Sequence, residues 1–117
     1  MNHYIDQQQQ LNELSRQFSD LIENGGVLAV DTEFLREKTY NAKLCLLQLG
    51  VGEDQYCIDV LTIDDLTIVL DLFRANNVIK VFHAARQDLE VLYQTYSLIP
   101  KPFFDTQLAA ANTRCSV

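Results

Sequence analysis

The sequence predicts an α/β fold, a mixed sheet with helices packed on it. Three observations point there. Three strand-like apolar runs follow one another through short links. After them, helical patterns alternate with further strand-like runs. And 48% of the 117 residues are hydrophobic, enough for the core of one small domain.

Taken in order, Leu11, Leu14, Phe18, Leu21 and Ile22 recur at helical spacing, and Asn24-Gly25-Gly26 stops the pattern. A helix is expected from about Gln7 to Glu23, with Asp6 as its cap and Gln7 to Gln10 as a solvated start. Val27 to Leu35 reads as a strand. Alternation turns Val27, Ala29, Asp31 and Glu33 to one side and Leu28, Val30, Thr32 and Phe34 to the other. Both sides begin apolar, so this strand is expected at the centre of the sheet, covered on both faces. Leu44 to Leu49 and Gln55 to Val60 are the next strands, and Gly50-Val51-Gly52-Glu53-Asp54 between them predicts a hairpin. Thr62 with Asp65 resembles a capping box, followed by a helix with Leu66, Val69, Leu70 and Phe73 as its apolar stripe, ending at Asn76-Asn77. Val78 to Phe82 is a strand and Ala84 to about Ser97 a helix. Pro100 and Pro102 interrupt the chain. Phe103-Phe104 reads as a short last strand, and Thr106 to Asn112 as the start of another helix.

Composition narrows the function classes. The net charge is −7 and the pI about 4.6, which argues against gripping nucleic acid through a broad basic surface. It leaves open an enzyme that holds phosphates through cations bound to carboxylates. No run is long enough to cross a membrane, and the polar N-terminus lacks the basic-then-apolar pattern of a secretory signal. Cys45, Cys57 and Cys115 fit no zinc spacing and are an odd number. Cys45 and Cys57 lie in apolar, strand-like runs and read as small buried hydrophobes in a reducing compartment, so a cytoplasmic protein is expected. There is no G-x-S-x-G, P-loop or dinucleotide fingerprint. Gly25-Gly26 precedes its strand and is a turn, not a phosphate cradle.

Three acidic positions could carry chemistry. Asp31 and Glu33 share one face at the carboxyl end of an apolar strand, where open α/β sheets place ligands. Two neighbouring carboxylates repel, and a divalent cation would remove that cost. The alternative is a strand-ending Asp31 and a solvated Glu33. On the helix from Ala84, with Ala85 at zero and 100° per residue, Leu89, Leu92, Tyr93 and Tyr96 fall between about −20° and +80°, and Asp88 near −60°. Asp88 thus flanks the apolar stripe as a candidate ligand; otherwise it pairs with Arg86 or Lys80 or serves the helix dipole. Asp105 reads as the N-cap of the helix that follows it. His3 is terminal, and His83 has no second His or Cys at ligand spacing.

The segment Val27-Leu-Ala-Val-Asp31-Thr-Glu33-Phe-Leu-Arg36-Glu-Lys-Thr39-Tyr40 resembles the first exonuclease motif of the ribonuclease D family. Leu44-Cys-Leu-Leu-Gln48-Leu matches that family's next strand. Phe82-His83-Ala-Ala-Arg-Gln-Asp88-Leu-Glu-Val-Leu92 is similar to its second motif, and Phe104-Asp105-Thr-Gln-Leu-Ala-Ala to the segment after that. The likeness runs from about Ile5 to Ala111. It implies a ribonuclease H-like fold and hydrolysis of phosphodiester bonds from RNA 3′ ends by two divalent ions, Mg²⁺ or Mn²⁺. Asp31 would bridge both metals, Glu33 would bind one and help place the attacking water, and Asp88 would hold the second. Thr32 and Phe34 would help seat the terminal nucleotide, with His83 and Gln87 lining the same groove. Single-stranded RNA 3′ ends and tRNA precursors are the implied partners.

Two departures stand out. Ala42 occupies a position where the family usually has proline. The family's third motif, Tyr-x-x-x-Asp on a later helix, is not found, so residues 1–117 are expected to be a partial exonuclease domain, truncated at the C-terminus. The sequence leaves three readings: an incomplete exonuclease inactive alone, one that borrows its fourth carboxylate from a partner or second copy, and a non-catalytic binding or interaction module derived from the fold. Uncovered sheet would also give the chain an apolar face for self-association.

Overall fold

The computed structural model describes residues 1–36 and 42–107. Six strands form one sheet: β1 (Asn2–Ile5), β2 (Gly26–Arg36), β3 (Ala42–Val51), β4 (Asp54–Asp59), β5 (Val78–Phe82) and β6 (Phe103–Asp105). Their order is β1-β4-β3-β2-β5-β6. β2, β3 and β4 run antiparallel to their neighbours within this group, whereas β1 on β4, β5 on β2 and β6 on β5 are parallel. The mixed sheet expected from short links followed by helical crossovers is therefore present, with β2 inside it. The β3–β4 hairpin closes through Gly52 and Glu53, and Gly52 takes the positive φ of 58° that the first position of such a turn favours.

The helices are α1 (Gln8–Asn12), α2 (Ser15–Asn24), α3 (Thr67–Arg74) and α4 (Ala85–Tyr96). They gather on one face. Phe18 of α2 meets Tyr56 edge-on, Val69, Leu72 and Phe73 of α3 are buried, and so are Val91 and Leu92 of α4. Against them the sheet presents Leu28, Val30, Leu47, Leu49, Ile58, Val78 and Phe82, all buried. Each fully buried Leu or Phe contributes about 2 kcal/mol.

The opposite face of the sheet is open among the described residues. Val27 is 55% exposed and Ile79 44%, and Ala29, Asp31 and Glu33 are exposed as well. This corrects the expectation that β2 is covered on both sides: its apolar start reflects one core-facing row and one row of small or apolar groups facing outward.

Several local expectations also change. The single helix from Gln7 to Glu23 is two helices, because Leu14 turns tightly back on Leu11 (N–H to carbonyl, 3.0 Å) before α2 begins. The turn lets Leu11 and Phe18 both reach the core. Gln8 fixes α1 by bonding both backbone groups of Asp65, each at 2.9 Å. Asp6 does not cap α1; the Gln10 side chain accepts from the Asp6 and Gln7 amides instead. Thr62 is no helix cap either, since its hydroxyl donates to the carbonyls of Asp6 and Asp59. Asp65 takes the amide and hydroxyl of Thr67, and α3 begins there. β1 was not foreseen. Only Ile5 of its residues is buried, so four residues gave too little alternation to read. Cys45 and Cys57 are half-buried, not core residues. Cys115, Thr39, Tyr40 and most of the helix expected from Thr106 lie outside the described residues.

Candidate functional site

β2 positions the first carboxylates. Its pairing sets Asp31 opposite Gln48 and Glu33 opposite Leu46, so Asp31 and Glu33 stand together on the open face, as alternation predicts. Asp31 accepts the amide of Thr32 at 2.9 Å, and Gln48 donates Nε2–H to Glu33 Oε1 at 3.4 Å. Just after Glu33 the register with β3 slips by one residue, so Phe34 lies opposite Leu44. Phe34 is half-buried, with the Arg36 guanidinium 5.6 Å from its ring centroid.

Thr32 points to the helix side of β2. It is buried, and its hydroxyl donates to Asp88 Oδ1. Asp88 is only 6% exposed. The buried row of α4 is Ala85, Asp88, Val91 and Leu92, whereas Tyr93 is 58% exposed. Asp88 therefore lies within the buried face and not at its flank; counting Tyr93 as core had rotated the expected stripe. Neither alternative partner takes it. Arg86 pairs with Glu90, and the Lys80 ammonium bonds the carbonyls of Ala75 and Lys101. Burial pushes the Asp88 carboxyl above the usual range; the Thr32 bond opposes this, and the charges of Asp31 and Asp105 add to it.

α4 begins directly after β5, at an alanine in left-handed conformation: Ala84 has φ 57° and ψ 61°. Its amide and that of Ala85 are bound by Asp105 on β6, at 3.1 and 2.8 Å. Asp105 also accepts the Gln107 amide at 3.0 Å, as an N-cap does, so the expected role is present together with an unforeseen one. A left-handed alanine costs about 1 kcal/mol. Ala84→Gly is therefore expected to raise stability by up to about 1 kcal/mol in a urea melt.

On the open face a groove of about 470 Å³ runs beside Asp31, with Ala29, Gly50 and Val81 as floor and Gln48, Gln55, His83 and Thr106 among its walls. His83 Nδ1 lies 3.0 Å from the Thr106 hydroxyl. Gln87 is exposed on α4. The groove thus brings together Asp31, His83 and Gln48, whose part sequence reasoning did not single out. Burial, then the charges of Glu33 and Asp59, push the Cys57 thiol up, which disfavours its thiolate.

Carboxylates are the donors hard divalent cations take. Asp31 and Glu33 fit such an ion as an exposed pair, leaving room for water on the metal. Asp88 is buried against the Thr32 hydroxyl, near enough for the Asp31 charge to act on it, and among the described residues no three His, Cys, Asp or Glu side chains are grouped closely enough to form a cage. No helix among them is long and apolar enough to cross a membrane.

The chain is similar to known proteins. A family model described as 3′-5′ exonuclease matches residues 2–116. A ribonuclease D of Jannaschia sp. (strain CCS1) is 52% identical over 90 residues, 71% of this chain and 23% of that protein. The crystal structure of Escherichia coli RNase D, described as an exoribonuclease involved in structured RNA processing, superposes with a TM-score of 0.81 at 34% identity, covering 95% of this chain and 29% of that one. Brucella melitensis NrnC bound to pGG gives a TM-score of 0.67 at 28% identity, over 78% of this chain and 46% of that one. The chain spans about a quarter of the length of the curated relatives it matches. The ribonuclease H-like fold expected from the motifs holds, and with nearly every residue inside the match the chain belongs to the 3′-5′ exonuclease family, as a member similar to ribonuclease D.

Proposed function

We propose that these residues are the part of a metal-dependent 3′-5′ exoribonuclease that carries its first two motifs, acting on the 3′ ends of single-stranded RNA, tRNA precursors among them, in the cytoplasm. The observation that supports this most is the exposed Asp31–Glu33 pair beside an open-face groove. Asp31, Glu33 and Asp88 would hold two Mg²⁺ or Mn²⁺ ions. When bound, such ions stabilise the charge on the entering and leaving oxygens of an in-line displacement.

The chain's own residues do the rest. Gln48, in the groove wall, bonds Glu33, whose carboxylate would orient the attacking water. Ala29 and Gly50 keep the groove floor low, so a sugar or base can lie close to Asp31. His83, fixed by Thr106, and Gln87 at the start of α4 contact the terminal nucleotide. Phe34 offers its ring at the strand end. Thr32 serves the nucleotide only indirectly, by holding Asp88.

The test is stepwise trimming of 5′-labelled single-stranded RNA with Mn²⁺, beside Asp31→Ala. Among the described residues no three His, Cys, Asp or Glu side chains are grouped as a ready-made cage. The chain alone is therefore expected to trim no faster than the variant. Trimming that disappears in Asp31→Ala would show that these residues suffice as an enzyme.

A further inference from the structure

The position of Asp88 depends on how α4 lies over β2, and α4 has no cap of its own. The residue before it is Ala84, whose side chain accepts nothing. The first amides of a helix lack intrahelical partners, yet here two adjacent amides at the start of α4 are taken by a residue about twenty positions downstream. Asp105 Oδ1 accepts from Ala84 and Oδ2 from Ala85. β6 is only three residues long, but its pairing sets Asp105 opposite Phe82, the last residue of β5. The carboxylate thus lands where the chain leaves the sheet to enter α4. Asp88 lies one turn further on.

We propose that Asp105 is a positioning residue for Asp88. By capping α4 from the neighbouring strand, it sets the rotation and height at which the helix presents Asp88 to Thr32. The inference rests on Asp88 belonging to the metal site proposed above. Three features make the cap more than local. It ties the helix to the sheet edge, whereas a cap from the preceding residue would leave the helix free to swing on its linker. It holds Ala84 in a backbone conformation that persists only where the surroundings over-determine it. And it uses both oxygens on successive amides, with its charge at the positive end of the helix. An asparagine, with one acceptor oxygen, can satisfy only part of this.

The test compares Asp105→Ala and Asp105→Asn in the full chain. Three quantities are measured: amide exchange at Ala84 and Ala85, the ¹³C resonance of the Asp88 carboxyl in metal-free protein at fixed pH, and the affinity for Mn²⁺. In Asp105→Ala, both amides are expected to lose protection and the Asp88 resonance to move. Mn²⁺ should bind roughly tenfold more weakly, as on loss of a residue that orients a ligand, with Asp105→Asn between the two. In an Asp88→Ala background the same substitution should no longer change Mn²⁺ affinity. The proposal is overturned if the amides exchange freely while the Asp88 resonance stays in place. It is equally overturned if the Mn²⁺ effect is undiminished without Asp88. If the wild-type chain binds no Mn²⁺, the metal reading fails, and the Asp88 resonance still decides the positioning role. Should Asp105→Ala not fold, Asp105→Asn carries the same comparison.

Discussion

Mn²⁺ added to the purified chain is expected to raise its melting temperature, and Asp31→Ala to abolish the rise. A ligand that binds only the folded state stabilises it by RT ln(1 + [L]/Kd), about 2.7 kcal/mol at one hundred times Kd. For a domain of this size that is roughly 10 °C. The effect requires a site that exists only in the fold. Asp31 and Glu33 meet that condition, because it is the extended backbone of β2, paired with β3 along this stretch, that sets them on one face. Without metal, Asp31→Ala should leave the melting temperature unchanged or slightly higher, since it removes one of two neighbouring like charges. The control is Asp20→Ala. Asp20 is an exposed carboxylate on α2, on the helix side of the sheet, and a chain with net charge −7 attracts cations generally. A rise that survives in Asp31→Ala, or is lost equally in Asp20→Ala, would mean diffuse binding and would remove the main support for a metal site.

The sequence was most legible in short apolar runs bounded by turn residues. Val78–Phe82, after Asn76-Asn77, is β5 to the residue, although its buried row is Val78, Lys80 and Phe82. Asp31 and Glu33 share a face because a strand allows nothing else. Legibility failed where a partner distant in sequence decides the outcome. β1 exists because β4 offers it an edge, and nothing in Asn2-His3-Tyr4 announces that. α1 and α2 carry one continuous apolar pattern, and they separate at the tight turn of Leu14 onto Leu11, with the Gln8 side chain anchoring α1 on Asp65. Asp88 was placed at the flank of its stripe because Tyr93 counts as apolar, although tyrosine keeps a polar tip and here faces outward. Asp105 read as a local cap, which it is. Its second use, across the sheet edge to α4, depends on the parallel pairing of a three-residue strand and has no signature in the chain.

Raising the pH from 8 to 10.5 is expected to stabilise the wild-type chain relative to Lys80→Met, by about 3 kcal/mol. Lys80 is fully buried on β5. Its ammonium donates to the carbonyls of Ala75 at 2.6 Å and Lys101 at 2.9 Å, which ties the end of α3 to the approach to β6. Burial lowers its pKa from 10.5 to about 8. Below pH 8 the lysine is charged in both states, and the folded state bears the whole cost of the buried charge. Between 8 and 10.5 the unfolded chain binds more protons than the folded one, so stability rises with pH. Above 10.5 the cost is gone. Tyr96 works in the opposite sense. Burial pushes its pKa to about 12, so stability falls as pH rises from 10 toward 12. A single melt against pH would mix the two, whereas the difference between wild type and Lys80→Met isolates the lysine, because methionine keeps most of the stem's packing and cannot titrate. A difference that stays flat from pH 8 to 10.5 would show that the ammonium reaches water, and that the two carbonyls bind it without the burial seen here.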